Sequence, residues 1–168
     1  MNIYEIMKTR RSIRAYNRDL PVEEEKLNRI LEAVRLAPSA ANKQPVCFFV
    51  IKDDKKKRQL QNAYNEEWFF TAPVIICACS LPENAWKRMD GKNYADVDAT
   101  IAMDHLILAA TSEGLATCWV AAFKVSFVKS ILNLPPGVEP VAMTPLGYPL
   151  ESQKPVYRKP LKEMVRFV

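Results

Sequence analysis

Apolar positions recur along this chain in two rhythms. Leu27, Ile30, Leu31 and Val34 fall at i, i+3, i+4 and i+7, the spacing of one helix face. Val46 to Ile51 and Val74 to Ala78 are instead unbroken apolar runs, rich in β-branched and aromatic residues, as in strands buried on both faces. The first rhythm predicts a helix that opens with Pro21 in its first turn, sets Glu23, Glu24 and Glu25 at the positive end of its dipole, and stops at Pro38. Asn2 is expected to cap a short helix over Ile3 to Thr9, with Ile3, Ile6 and Met7 as its buried stripe. Asp53 caps a lysine-rich helix reaching about Asn65, with Lys55, Lys56, Lys57 and Arg58 as its solvated face. Trp68, Phe69 and Phe70 then lead to Pro73.

The polar stretch from Pro82 to Lys92 reads as a loop or lid. From Asp96 or Asp98 a helix runs to Gly114, its C′ residue. It is apolar nearly all round (Ile101, Ala102, His105, Leu106, Leu108, Ala109), which places it at the centre of a domain or in a subunit interface, with His105 a core or interface residue and not a catalyst. Leu115 to Ala122 is a strand candidate, Ser126 to Leu134 a short amphipathic helix and Val138 to Gly147 the last strand. In the tail over 149–168, Val156, Leu161, Met164, Val165 and Phe167 need apolar cover, which suggests exchange onto a partner subunit.

This order of elements mixes helices and strands around a central sheet. With 168 residues, no internal repeat and no linker, one domain is expected. Apolar content of 49% and charged content of 26% are ordinary for a globular protein. The N-terminus carries no signal-peptide pattern and no window approaches the ~20 apolar residues of a membrane span, so a cytoplasmic location without membrane association is expected. Cys47, Cys77, Cys79 and Cys118 lie in apolar runs without metal-ligand spacing, and His105 is the single histidine, so no metal is expected. The net charge of +5 favours anionic ligands weakly. A nucleic-acid-binding module using Lys55 to Arg58 and Arg10 to Arg18 is the competing class. It is set aside because the basic residues are not interleaved with exposed aromatics.

Familiar catalytic patterns are missing: there is no P-loop, no G-x-G-x-x-G turn and no G-x-S-x-G elbow. Three polar groups remain. If Arg10-Arg11-Ser12-Ile13-Arg14 is extended, Arg10, Ser12 and Arg14 share one face and Arg11 and Ile13 the other, a small anion clamp with an apolar back; the alternative for these five residues is a solvated basic turn. Pro38 to Pro45 is a loop of small and amide-bearing residues (Ser39, Asn42, Gln44), and Arg158 and Lys159 form a basic C-terminal segment. Together they suit a ligand with a phosphate, several hydroxyls and a flat hydrogen-bonding ring, and so a cofactor that carries the chemistry itself.

From about Tyr4 to Val165 the chain resembles the FMN-dependent nitroreductase family of the short type. The resemblance rests on the arginine stretch, Pro38-Ser39-Ala40-Ala41-Asn42-Lys43-Gln44-Pro45, the helix from Asp96 into Gly114-Leu115-Ala116-Thr117-Cys118-Trp119-Val120, Gly147-Tyr148-Pro149 and Arg158-Lys159-Pro160-Leu161. It implies an α+β sandwich with a central, mostly antiparallel sheet flanked by helices, built as an intertwined homodimer with FMN at the interface. It implies that Arg10, Ser12 and Arg14, with Arg11 beside them, hold the phosphate and ribityl chain or the pyrimidine edge, and that Arg158 completes the neutralisation. Ser39, Ala40, Asn42 and Gln44 would reach the flavin from the other subunit, and Trp119, Val120 and Ala121 would pass its ring and donate a backbone N–H. The implied activity is ping-pong reduction of nitroaromatics, quinones or similar small oxidised acceptors by NADH or NADPH, with no catalytic side chain. A non-catalytic flavin carrier and a dehalogenase-like flavoprotein are the alternatives. Val46 stands where the family often has tryptophan, and Trp119-Val120-Ala121 lacks the threonine run of iodotyrosine deiodinases, which speaks against one-electron dehalogenation.

Overall fold

The computed structural model describes residues 2–150 and 156–168. Local signals account for most of its helices. In α1 (Ile3–Thr9) the Asn2 side chain accepts from the Glu5 N–H and the Glu5 carboxylate accepts from the Asn2 N–H, a complete capping box. Only Ile6 of the expected stripe is buried, and Ile3 and Met7 face outward. The helix α2 (Glu24–Arg35) begins later than expected, with Pro21 outside it and Glu23 at the N-cap. The Glu23 carboxylate is turned instead to the Tyr148 hydroxyl, which donates to it at 2.8 and 2.9 Å. Leu27 and Ile30 are buried, and Leu31 and Val34 pack partly against the same core.

Four strands make an antiparallel sheet in the order β1-β2-β4-β3: β1 (Val46–Ile51), β2 (Val74–Ser80), β3 (Ala116–Thr117) and β4 (Glu139–Gly147). All seven residues of β2 are buried, and their alternation divides the core. Val74, Ile76 and Ala78 face α2 and α5 (Ala95–Ser112), whereas Ile75, Cys77 and Cys79 face Leu60, Phe69, Val128 and Leu132. Burying an isoleucine of this kind contributes about 1.5–3 kcal/mol relative to exposure. The helix α5 buries Ala99, Ala102, Met103 and Leu106 on one side and leaves Ile101, His105 and Leu108 half-buried on another. Helices α3 (Asp54–Gln59), α4 (Glu67–Thr71) and α6 (Val125–Leu132) complete the layer on the second face. The architecture is α+β, with helices on both sides of the sheet.

Three expectations change here. Asp53 caps α3 as expected, but the α-helix gives way to a 3₁₀ turn over Leu60–Asn62. Lys57 is not solvated: it is 8% exposed, and its ammonium donates to the carbonyls of Ala72 and Pro73 at 3.3 and 3.0 Å beside the Asp54 carboxylate at 2.9 Å. The strand expected over 115–122 is interrupted after Thr117. Its next partner, Pro145, has no N–H to donate, and the Cys118 N–H turns to the Thr144 hydroxyl at 3.1 Å. Pairing resumes in the same register at Val120 and Met143.

The segment between β2 and α5 is a small hairpin, closed by a bridge between Lys87 and Asn93, a left-handed Gly91 and an edge contact of Trp86 with Tyr94. At Gly147 a Cβ would lie 2.6 Å from a Pro73 ring carbon, so β4 passes that proline only with glycine there. The tail contains α7 (Leu161–Met164), and Val156, Leu161, Met164 and Phe167 are exposed. Residues 151–155 of the tail lie outside the described residues. Among the described residues no helix is long and apolar enough to cross a membrane, and no three His, Cys, Asp or Glu side chains are grouped to hold a metal ion.

Candidate functional site

The arginine stretch runs alongside β3. Ser12 forms a parallel bridge with Thr117, the Ile13 N–H donates to the Thr117 carbonyl at 3.0 Å, and Tyr16 bridges to Pro149. Ile13 is buried against Tyr16, Ala72 and Ala116, which turns Ser12 and Arg14 outward, as the alternation requires. Beneath them the Tyr16 hydroxyl donates to the Ile13 carbonyl at 2.6 Å, and burial pushes that phenol well above its usual range.

The arginines differ in what they hold. Arg11 donates to the carbonyls of Lys8 and Arg10 and so closes the end of α1. Arg10 and Arg14 form no side-chain hydrogen bond and no ion pair among the described residues; Arg14 instead lies 5.7 Å from the centroid of the Trp68 ring. Both sit within electrostatic reach of the Cys118 thiol. Burial raises that thiol's pKa, and Arg14, the Ser12 hydroxyl and Arg10 oppose the rise. Arg10, Ser12, Arg14 and Cys118 therefore form one neighbourhood. A concavity of about 620 Å³ adjoins it between Arg14, Tyr16, Trp68, Thr71 and Leu150.

Past Cys118 the chain offers free backbone donors. Val120 is buried and exchanges both backbone bonds with Met143 at 2.9 and 2.8 Å, so its N–H is already occupied. The expected N–H donor of this segment therefore falls to Trp119 or Ala121, which flank it, lie exposed and make no N–H bond among the described residues.

The amide loop is built differently. Ala41, Asn42 and Gln44 all have φ near +50°, a left-handed conformation that disfavours residues with a Cβ. The loop is held from within: the Gln44 N–H donates to Ser39 Oγ at 2.9 Å, and the Gln44 amide donates to Asn42. It is held from outside by Asp98 of α5, whose Oδ1 accepts from the Ala40 N–H at 2.9 Å. Asp98 is 2% exposed, and its Oδ2 has no hydrogen-bond partner among the described residues. A cavity of about 310 Å³ lies there, lined by Leu31, Ser39, Gln44, Val46, Asp98 and Ala102.

Ser12 meets Thr117, and Arg10, Ser12 and Arg14 act on the Cys118 thiol. No hydrogen bond or ion pair among the described residues links Ser39, Ala40, Asn42 or Gln44 to them. Arg158 is exposed and donates only to the Tyr157 carbonyl, at 3.2 Å. Two residues that matter to the geometry escape sequence reasoning. Trp68 stands there only as part of a link to Pro73, and nothing near it in the chain points to the clamp. Asp98 stands as a possible helix start, although its i, i+4 spacing to Ala102 already places it on the buried face of α5.

Chemically, the clamp suits an anion. Two permanently charged guanidinium groups flank a hydroxyl, their donors are unoccupied, and exposed backbone N–H groups lie next in line. These residues fit a flavin mononucleotide, whose phosphate needs such donors and whose ring edge needs main-chain ones.

A model of the Nitroreductase family matches residues 7–69 and 61–148 of this chain. The chain is similar to an NADH dehydrogenase of Thermus thermophilus, with 31% identity over 187 residues covering 93% of this chain and 91% of that protein. It is also similar to an FMN reductase (NAD(P)H) of Bacillus subtilis, with 32% identity over 158 residues covering 84% of this chain and 63% of that one. A crystal structure of a nitroreductase family protein from Clostridium difficile 630 shares 35% identity and superposes with a TM-score of 0.89, covering 99% of this chain and 98% of that one.

Proposed function

This chain belongs to the nitroreductase family of oxidoreductases, and on that basis we propose that it is an FMN-dependent reductase that uses NADH or NADPH to reduce small oxidised acceptors such as nitroaromatics or quinones. The observation that carries this reading is the pair Arg10 and Arg14, set about Ser12 and free of hydrogen bonds and ion pairs among the described residues. Exposed, unoccupied cationic donors on an ordered backbone support a bound phosphate. When bound, FMN would supply the two-electron redox chemistry that links the nicotinamide to the acceptor, as the proposed ping-pong sequence requires.

The chain's own residues bind and orient. Arg10, Arg14 and Ser12 hold the phosphate and ribityl end, with Arg158 adding charge. Trp119 or Ala121 offers a backbone N–H to the ring. Ser39, Ala40, Asn42 and Gln44 present short side chains and backbone from a loop whose shape is already set. No side chain is assigned an acid or base role.

The reading includes a homodimer. It is supported by the lack of any hydrogen bond or ion pair between the amide loop and the clamp among the described residues, by the half-buried row Ile101, His105 and Leu108 on α5, and by the exposed apolar tail. It includes a reducing, cytoplasmic setting, in which the four free thiols persist.

The test is the absorbance spectrum of the purified protein before and after anaerobic addition of NADH or NADPH. A flavin spectrum that bleaches is expected. A colourless protein that gains no flavin signal on titration with FMN overturns the cofactor, and a flavin spectrum that does not bleach overturns the reductase. Sedimentation of the full chain at twice the monomer mass is expected, and a monomer overturns the shared site.

A further inference from the structure

The aromatic cluster beside the clamp goes beyond the family reading. Trp68 of α4 packs edge-on to Tyr64 (centroids 6.0 Å apart, 81° between planes) and to Phe69 (6.0 Å, 89°). Phe69 is fully buried and itself packs edge-on to Phe70 at 5.3 Å and Tyr64 at 5.2 Å. Trp68 also packs against the small core of Ile13, Tyr16, Ala72 and Ala116, which carries the arginine stretch. The indole is thus braced from two sides, and Arg14 lies over its ring.

We propose that Trp68 is a positioning residue for the bound flavin, its ring holding the Arg14 guanidinium in place while leaving the N–H donors free. The proposal rests on the reading of Arg14 as an FMN ligand. An exposed arginine loses rotamer entropy when an anion fixes it, a cost that binding must overcome. Attraction to an aromatic face lowers that cost and occupies none of the five N–H donors, unlike an ion pair with a carboxylate. Arg88 shows the contrast: it lies over Tyr94, but its donors are also taken by Asp90 and the Tyr94 hydroxyl. Arg14 has the ring and no such competing acceptor among the described residues, so the arginine is oriented and still available.

The experiment is a double-mutant cycle on the full chain stripped of flavin, titrated with FMN and read by quenching of flavin fluorescence. Trp68→Leu is expected to raise the FMN Kd about two- to fivefold, the range of an exposed cation–π contact. Trp68→Tyr and Trp68→Phe should fall between Leu and Trp, because they keep an aromatic face. In an Arg14→Ala background the same three changes should leave the Kd flat. An equal rise in both backgrounds makes Trp68 a packing residue and overturns the proposal, as does no rise with Arg14 present. If Arg14→Ala by itself leaves the Kd unchanged, the reading of Arg14 as an FMN ligand falls, and the proposal with it. Thermal melts of each variant identify a folding defect. Should Leu unfold the chain, Tyr and Phe still decide the outcome: they must bind FMN more weakly than Trp when Arg14 is present and equally when it is absent, and any other pattern overturns the proposal.

Discussion

The arginine clamp and the amide loop are built on opposite principles. The clamp has extended backbone tied to β3, and its Arg10 and Arg14 side chains have no hydrogen-bond partner among the described residues. The loop occupies its side chains internally and keeps three non-glycine residues in left-handed backbone. Each such residue costs about 1–2 kcal/mol, less for asparagine. A charge needs only to be presented, because Coulomb attraction tolerates small errors of position. Short amides and backbone must be placed within hydrogen-bond range, and that requires a rigid shape, here pinned by buried Asp98. Under the proposed function, the contrast would assign affinity to the clamp and fit to the loop.

The strongest response should come from the clamp. Arg10→Ala with Arg14→Ala should weaken FMN binding by about 100-fold or more, given the strength of charge-assisted hydrogen bonds. The double variant should then purify nearly colourless, and a fully yellow protein would remove affinity from this region.

The loop should respond in stability. Asp98→Ala strands the Ala40 N–H and should cost about 1–3 kcal/mol in denaturant unfolding. Asp98→Asn retains an acceptor for that N–H, so it should cost less, about 1 kcal/mol or below. Equal losses from both would mean that the carboxylate does not pin the loop.

A smaller gain is expected from Ala41→Gly. Relief of the left-handed strain, offset by a more flexible unfolded chain, should leave about 0.5 kcal/mol of stabilisation and raise the melting temperature by about 1–2 °C. A lowered melting temperature would show that the loop is not strained there.

The slightest change is expected behind the clamp, where the Asn17 N–H donates to the Tyr148 carbonyl and the Tyr148 hydroxyl donates to Glu23. Glu23's own backbone N–H, then the Tyr148 hydroxyl, hold its pKa below the usual value. Its contribution to stability is present above the unfolded carboxylate pKa and is lost as pH falls through the lowered folded value. Melting temperatures of wild type and Glu23→Gln should therefore differ slightly near pH 6 and converge below about pH 4. A gap that widens on acidification would contradict that sign.

Much of the scaffold is legible in short stretches of the chain. The Asn2 and Asp53 caps, the α2 stripe, the two apolar strands and the glycine stop at Gly114 all depend on residues within a few positions of one another. The clamp's alternation is equally local. The departures share a cause. Charged neighbours assign Lys57 to solvent, yet its partners are carbonyls fifteen and sixteen residues away. The strand over 115–122 has a sound pattern and is broken by Pro145, on another strand.

Short-range patterning supplies most of the element order, though not α4 or α7, and the three polar segments on which the family resemblance and its α+β expectation rest, because periodicity and motif spacing are properties of short stretches. Which of those groups remain available is a matter of tertiary packing. Among the described residues it occupies Arg11 and the Val120 N–H, leaves the Arg10 and Arg14 side chains and the Trp119 and Ala121 N–H groups without hydrogen bonds, sets Trp68 under Arg14, and buries Asp98 against the loop. Availability depends on which distant atoms reach a donor or acceptor first, and only the packed chain brings those atoms together.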